Sequence, residues 1–200
     1  MSGQLRRQHP TRTSIPLGIL LLARGRADGL RQFGDTPSAF LGSLAPLIAF
    51  PLVGAVLMLI QGGGLAAVSD LLATLCALLA PPVLSYEPAR WWKREAQWLR
   101  FATALNWCQW VIPLLASILL IVVYPLLSAI MPLQAAGATV ICAVAGYGLW
   151  LHWFLARHAL MISRLRAVVL VAIVNLGTGL LALGPYLLSQ GGLLRVVGIR

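Results

Sequence analysis

Charge is what this sequence has least of. Aspartate and glutamate together number five in 200 residues, and charged residues of both signs make up 10%. Soluble domains carry roughly 25%, so a water-soluble fold would lack the polar surface to cover a chain that is 60% hydrophobic. Cysteine is scarce too. Cys76, Cys108 and Cys142 each fall inside a different apolar run, with no Cys-x-x-Cys pair and no histidine at ligand spacing. They read as small apolar packing residues, and neither a metal nor any other cofactor is expected. His9, His152 and His158 are too dispersed for a haem pair on one helix. Zinc-type His-Glu-x-x-His, nucleophile elbow, phosphate loop and dinucleotide glycine motifs are all missing. Gly62-Gly63-Gly64 lacks the lysine of a phosphate cradle. An enzyme is the less favoured class.

What remains is a set of long apolar runs separated by short basic segments. That pattern predicts an all-α integral membrane protein with five transmembrane helices over about 38–60, 65–84, 101–127, 135–156 and 167–188. Interfacial amphipathic helices are expected on the cytoplasmic side. Residues 1–36 form a cytoplasmic tail and interfacial segment, and 37–200 the transmembrane domain. Within the tail, 1–14 reads as disordered and basic. Ile15 to Ala23 is too short to cross a hydrocarbon core that needs about 20 residues. It lacks the cleavage pattern of a secretory signal, and reads as an interfacial run with Arg24, Arg26 and Arg31 reaching water.

Helix signals sharpen some boundaries. Thr36 or Asp35 can cap a helix whose first residue is Pro37. Pro46 and Pro51 imply a kink, with Ser43 available to satisfy freed carbonyls. Pro81-Pro82 would loosen or stop the second span. The third run is longer than a membrane needs, so it either tilts or ends at Pro125. Ala138, Cys142 and Gly146 make a small-residue ridge that another helix can approach closely.

Lysine and arginine number six in residues 1–36, four in 85–100 and three in 157–166, with none in the two intervening turns. The positive-inside rule then places the N-terminus in the cytoplasm and the C-terminus outside an inner (cytoplasmic) membrane. Arg195 and Arg200 dissent. The formal net charge of +10 could serve nucleic acid, but basic segments between apolar runs match an anionic inner leaflet better. No nucleic-acid partner is expected. A membrane-protein partner or homo-oligomer fits the small-residue ridge.

Tyr86 to Arg100, YEPARWWKREAQWLR, reads as one amphipathic helix on the inner face. Glu95 projects from the middle of its apolar side. A carboxylate there should turn to the bundle and meet Arg157, His158, Arg164 or Arg166, clasping the two inner loops together. Trp91, Trp92, Trp98, Trp107, Trp110, Trp150 and Trp153 gather at the same level as an aromatic belt.

Intramembrane polar groups are the default candidates for function. Asp70 is the only acidic residue inside a span, about 8 Å from its outer end. It reads first as a structural acceptor near a helix start, and second as a proton or cation carrier. Asn106 and Gln109 should lie level with His152, so that either could hydrogen-bond it. The plainer reading is interhelical glue, and the sharper one a polar pocket opening to the cytoplasm. Asn175 reads as glue as well.

A basic N-terminal segment, five closely spaced spans and almost no outer loops resemble the Yip family of membrane proteins. Tyr147 to Val174, YGLWLHWFLARHALMISRLRAVVLVAIV, is similar to that family's aromatic-rich span, short basic turn and following Arg-Ala-apolar span. In eukaryotes the resemblance implies Rab GTPase binding and vesicle traffic, while the Ala/Leu/Arg/Trp-rich style here looks bacterial. The expectation is a non-enzymatic scaffold or partner-binding subunit. The alternative is a small transporter or ion-coupled permease subunit using Asp70 and the Asn106/Gln109/His152 cluster.

Overall fold

A computed structural model describes residues 14–189, with side chains to residue 182. The expected disordered tail before residue 14, and Arg195 and Arg200, lie outside the described residues. Among those described the chain is helical and has no strand. α1 is Ile15–Ala23, α2 Pro37–Ile60, α3 Gly64–Trp91, α4 Glu95–Cys108, α5 Val111–Ile118, α6 Tyr124–Ser128, α7 Leu133–Ala159 and α8 Arg164–Ser189. Five helical stretches are long and apolar enough to cross a membrane: Pro37–Ile60, Gly64–Trp91, Glu95–Ser128, Leu133–Ala159 and Arg164–Ala182.

The first span starts as the sequence dictates. Thr36 Oγ1 accepts the Ala39 N–H at 3.2 Å, with Pro37 at the first helical position. The second departs from expectation, because Pro81-Pro82 does not stop it and α3 continues to Trp91. Each proline removes an N–H that would reach the carbonyl four residues back, at Ala77 and Leu78; one turn on, Ser85 Oγ donates to the Pro82 carbonyl at 3.0 Å. In the third span Pro125 does not end the helix either. A π-helical turn, Leu119–Val123, precedes it and re-phases the hydrogen bonds so that α6 can follow.

Four helix ends close by the same device, an N–H bonding to the carbonyl five residues back around a residue of positive φ. Gly25 and Gly62 serve two of them, at φ +74° and +87°. Lys93 and Met161 serve the others at φ 57° and 53°, flanked by Arg94 N–H to Ala89 O (2.8 Å) and Ile162 N–H to Arg157 O (3.3 Å). A Cβ disfavours that conformation. Replacing Lys93 or Met161 with glycine is therefore expected to stabilise the protein by about 0.5–1 kcal/mol, seen as a higher melting temperature in mild detergent.

The break at Lys93 corrects the charged stretch. It is not one amphipathic helix but the end of α3 and the start of α4, and the turn between them swings Glu95 off the apolar face. Glu95 is more than half exposed and faces Arg90 at 3.8 Å. Among the described residues it forms no ion pair with Arg157, His158, Arg164 or Arg166. The two basic turns meet differently: the Arg166 guanidinium lies over the Trp92 ring at 5.9 Å. Arg157 lies over Trp153 at 5.6 Å, and Trp153 Nε1 donates to the Arg164 carbonyl at 3.3 Å.

The buried core sits at this basic end. α1 doubles back on a 3-10 turn, Ala27–Gln32, and packs on α4 and α7, burying Leu22, Leu30 and Phe33 against Phe101, Leu105, Phe154 and Leu155. Tyr147 Oη donates to Ala23 O at 2.8 Å, and Arg100 pairs with Asp35 at 2.6 Å. At the other end the bundle opens and its large apolar side chains face outward, Ile60 at 77% and Leu65 at 88% exposed. Apolar side chains facing lipid incur no hydration penalty, so the splayed end fits a bilayer. The Ala138/Cys142/Gly146 ridge also faces outward, and a Cβ on Gly146 would meet nothing within 4 Å.

Candidate functional site

Between α3, the third span, α7 and α8 lies a cleft of about 710 Å³. α7 contributes Val140, Ile141, Val144, Ala145, Gly148, Leu149, Leu151, His152 and Leu155, a face that repeats at helical spacing. The third span adds Leu105 to Leu120, and α3 adds Ala77 and Pro81, the latter where the helix can donate no N–H. Ile141 and Leu149 are 70% and 48% exposed, so the cleft opens on the apolar flank of the bundle. Small residues (Ala77, Ala116, Ala145, Gly148) leave the space, and branched ones wall it.

Polar groups on this lining are Gln109, His152, Asn175 and Thr178. The expected partner of His152 is corrected. Its Nδ1 faces Asn175 Nδ2 at 3.2 Å, and neither Asn106 nor Gln109 bonds it. Asn175 Nδ2 also donates to the Val171 carbonyl at 2.8 Å, so both amide hydrogens are committed. Nδ1 must then be the acceptor, and the neutral imidazole carries its proton on Nε2. That N–H is buried with no partner, as is Thr178 Oγ1. A buried polar group left so costs about 1–3 kcal/mol. His152 is 8% exposed and stacks on Phe101, with centroids 6.3 Å apart and planes at 22°. Thr178, one turn beyond Asn175 on the same helical face, carried no signal of its own in the sequence.

Asn106 is fully buried and turns the other way. Its Nδ2 donates to Ser43 Oγ at 2.9 Å, and Ser43 in turn donates to Phe40 O at 2.6 Å. Ser43 thus ties α2 to α4 rather than serving the carbonyls freed by Pro46. This is interhelical glue, for which coupling averages about 0.6 kcal/mol. Ser43→Ala alone should destabilise by about 1–3 kcal/mol because it strands the Asn106 amide. Adding Asn106→Leu should recover part of that loss in a double-mutant cycle of thermal unfolding.

Asp70 stands apart. It lies exposed on α3, outside the lining of the cleft, six residues from the helix start at Gly64. Among the described residues no group of three or more His, Cys, Asp or Glu side chains could hold a metal ion. A second, smaller cavity of about 130 Å³ lies at the basic end, beside the Arg100–Asp35 pair, with Gln97 and His158 on its wall. His158 Nδ1 lies 2.9 Å from the Phe154 carbonyl, which can only accept, so that nitrogen carries the proton. No family model, curated protein or solved structure matches the chain.

Proposed function

We propose that this chain is a non-enzymatic inner-membrane protein of Yip-like layout, acting by holding an apolar occupant in its cleft as a scaffold or partner-binding subunit. The observation that carries the reading is the cleft itself: about 710 Å³ of mostly apolar lining, open at the flank and closed to charge. The basic turns, gathered at one end with the tryptophans, support a cytoplasmic placement of that end by the positive-inside rule. The N-terminus is then inside and the C-terminus outside. Arg166 on Trp92 and Arg100 on Asp35 hold this end shut, which suits a rigid binding frame.

The transporter reading needed Asp70 to act with Asn106, Gln109 and His152. Of these four only Gln109 and His152 share the cleft, while Asn106 is spent on Ser43. Proteoliposomes carrying the wild-type chain are expected to pass protons and monovalent cations no faster than empty vesicles, with Asp70→Asn the same. An Asp70-dependent flux would reverse the choice between the two readings. A periplasmic-type reporter fused after residue 200 is expected to be active, and a cytoplasmic result would overturn the orientation.

A further inference from the structure

We infer that α1 and its 3-10 return form a re-entrant hairpin sunk into the leaflet at the basic end, and that Arg24 and Arg26 at its apex hold the phosphate of a phospholipid drawn down to them. The hairpin lies apart from the cleft, and its role does not depend on what the cleft holds.

Contacts along α7 give the hairpin its direction. The apex lies well inside a span: Tyr147 Oη donates to Ala23 O at 2.8 Å, and a Cβ on Gly25 would lie 3.3 Å from the Trp150 ring. Tyr147 and Trp150 stand twelve and nine residues before the end of α7 at Ala159, ~18 and ~13 Å at 1.5 Å per residue. The base lies at the basic end. There Ser14 N–H donates to Gln32 Oε1 at 2.9 Å, and Asp35 pairs with Arg100. Leu30 shares the small cavity with His158, Ala159 and Met161. Both legs fit this path. α1 has nine residues, ~13 Å, and the return has six, ~12 Å at 2.0 Å per residue. One leaflet of hydrocarbon is ~15 Å deep.

The elements level with the hairpin are apolar. Leu17 and Leu20 turn outward on α1, 46% and 47% exposed. α2 starts beside the base, two residues after Asp35, and carries no charge from Pro37 to Ile60. Leu41, in its second turn, faces outward. A water boundary at the apex would leave α7 the ~21 Å from Leu133 to Tyr147 to cross a core ~30 Å thick. The hydrocarbon therefore extends to the base, and the apex is inside it.

An apex at that depth carries charge into hydrocarbon. Arg24, Arg26 and Asp28 are all exposed. Arg26 faces Asp28 at 3.7 Å, and among the described residues Arg24 has no acidic partner. Arginine so placed is stabilised by thinning of the bilayer around it. Two arginines and one aspartate leave one positive charge, which the single negative charge of a phosphodiester balances. Guanidinium groups also take phosphate oxygens two at a time. The long arginine stems reach back toward the headgroups, so the phosphate descends through part of that depth rather than all of it.

The test attaches a fluorophore to Ala27→Cys, exposed at the apex, in the full chain with its three native cysteines replaced. Phosphatidylcholine vesicles supply one of two quenchers, a nitroxide in mid-chain or a nitroxide on the choline. Both should quench the wild type. Arg24→Gln with Arg26→Gln should keep the mid-chain quenching and lose most of the headgroup quenching, while Arg31→Gln, at the base, should change neither. A second measurement needs no variant. In vesicles of an uncharged galactolipid holding the same fraction of headgroup quencher, quenching should rise, because no other phosphate competes for the arginines. A wild type left unquenched by the mid-chain nitroxide has its apex in water, which overturns the re-entrant hairpin. Headgroup quenching that is missing, unchanged in the double variant, or equal in the two host lipids overturns the phosphate site.

Discussion

Replacing Phe101 with alanine is expected to lower the melting temperature in mild detergent by roughly 6–20 °C. Phe101 is fully buried at the point where α1, α4, α7 and the first residues of α8 converge. Truncating a buried phenylalanine costs about 3–5 kcal/mol, part transfer and part residual cavity. In a protein of this size each kcal/mol moves the midpoint by about 2–4 °C. The cavity would open directly beneath the His152 ring, which stacks on Phe101, so the loss should also loosen the His152–Asn175 contact. Phe101→Leu keeps most of the volume and should fall well short of the alanine variant. If Phe101→Ala melts with the wild type, the core does not sit at the basic end.

Gly29→Ala is the second large effect, and its mechanism is overpacking. A Cβ on Gly29 would lie 2.7 Å from the Gly18 carbonyl oxygen and 2.9 Å from Leu22 Cγ. The first contact is with backbone, so no rotamer change relieves it and α1 must move away from the 3-10 turn. Overpacking of this kind costs about 1–3 kcal/mol. The displaced hairpin would uncover Leu22, Leu30 and Phe33, and trypsin should cut at Arg24, Arg26 or Arg31 much faster than in the wild type. Gly146→Ala is the contrasting case. Its Cβ enters open space on a helix, so it should stabilise by up to about 1 kcal/mol. Equal trypsin sensitivity of Gly29→Ala and wild type would show that α1 does not dock as described.

The five spans were legible because apolar run length alone reports them, and the cap at Thr36 because its chemistry is local. Their ends were less so. Pro81-Pro82 read as loosening or stopping a helix and Pro125 as one way to end the third, yet α3 runs through the first pair to Trp91 and a π-turn carries the third span past Pro125. The clasp failed for a related reason. A helical wheel drawn through Tyr86 to Arg100 assumes continuous helix, and Lys93 breaks it with a left-handed residue that nothing in its side chain announces.

At the site, Asn106 lies in the core and Gln109, His152 and Asn175 line the cleft, but His152 pairs with a helix other than the one expected. Counting from the α7–α8 turn sets His152 and Asn175 about four residues apart in depth, ~6 Å at 1.5 Å per residue. The tilt of the two helices and the reach of the Asn175 side chain close that gap. The cleft itself left no motif, because it is made of small residues drawn from four different segments.

The central claim is that an apolar occupant is held in the cleft rather than merely bathing the bundle. The direct measurement attaches a small fluorophore to Ala145→Cys, in a chain whose three native cysteines are replaced, and loads the protein with brominated-chain phosphatidylglycerol. The same label at Val56→Cys, on the outward surface of α2, reports ordinary lipid contact. After exchange into lipid-free detergent, quenching should persist at position 145 and vanish at position 56. Loss of quenching at both positions together would contradict the account.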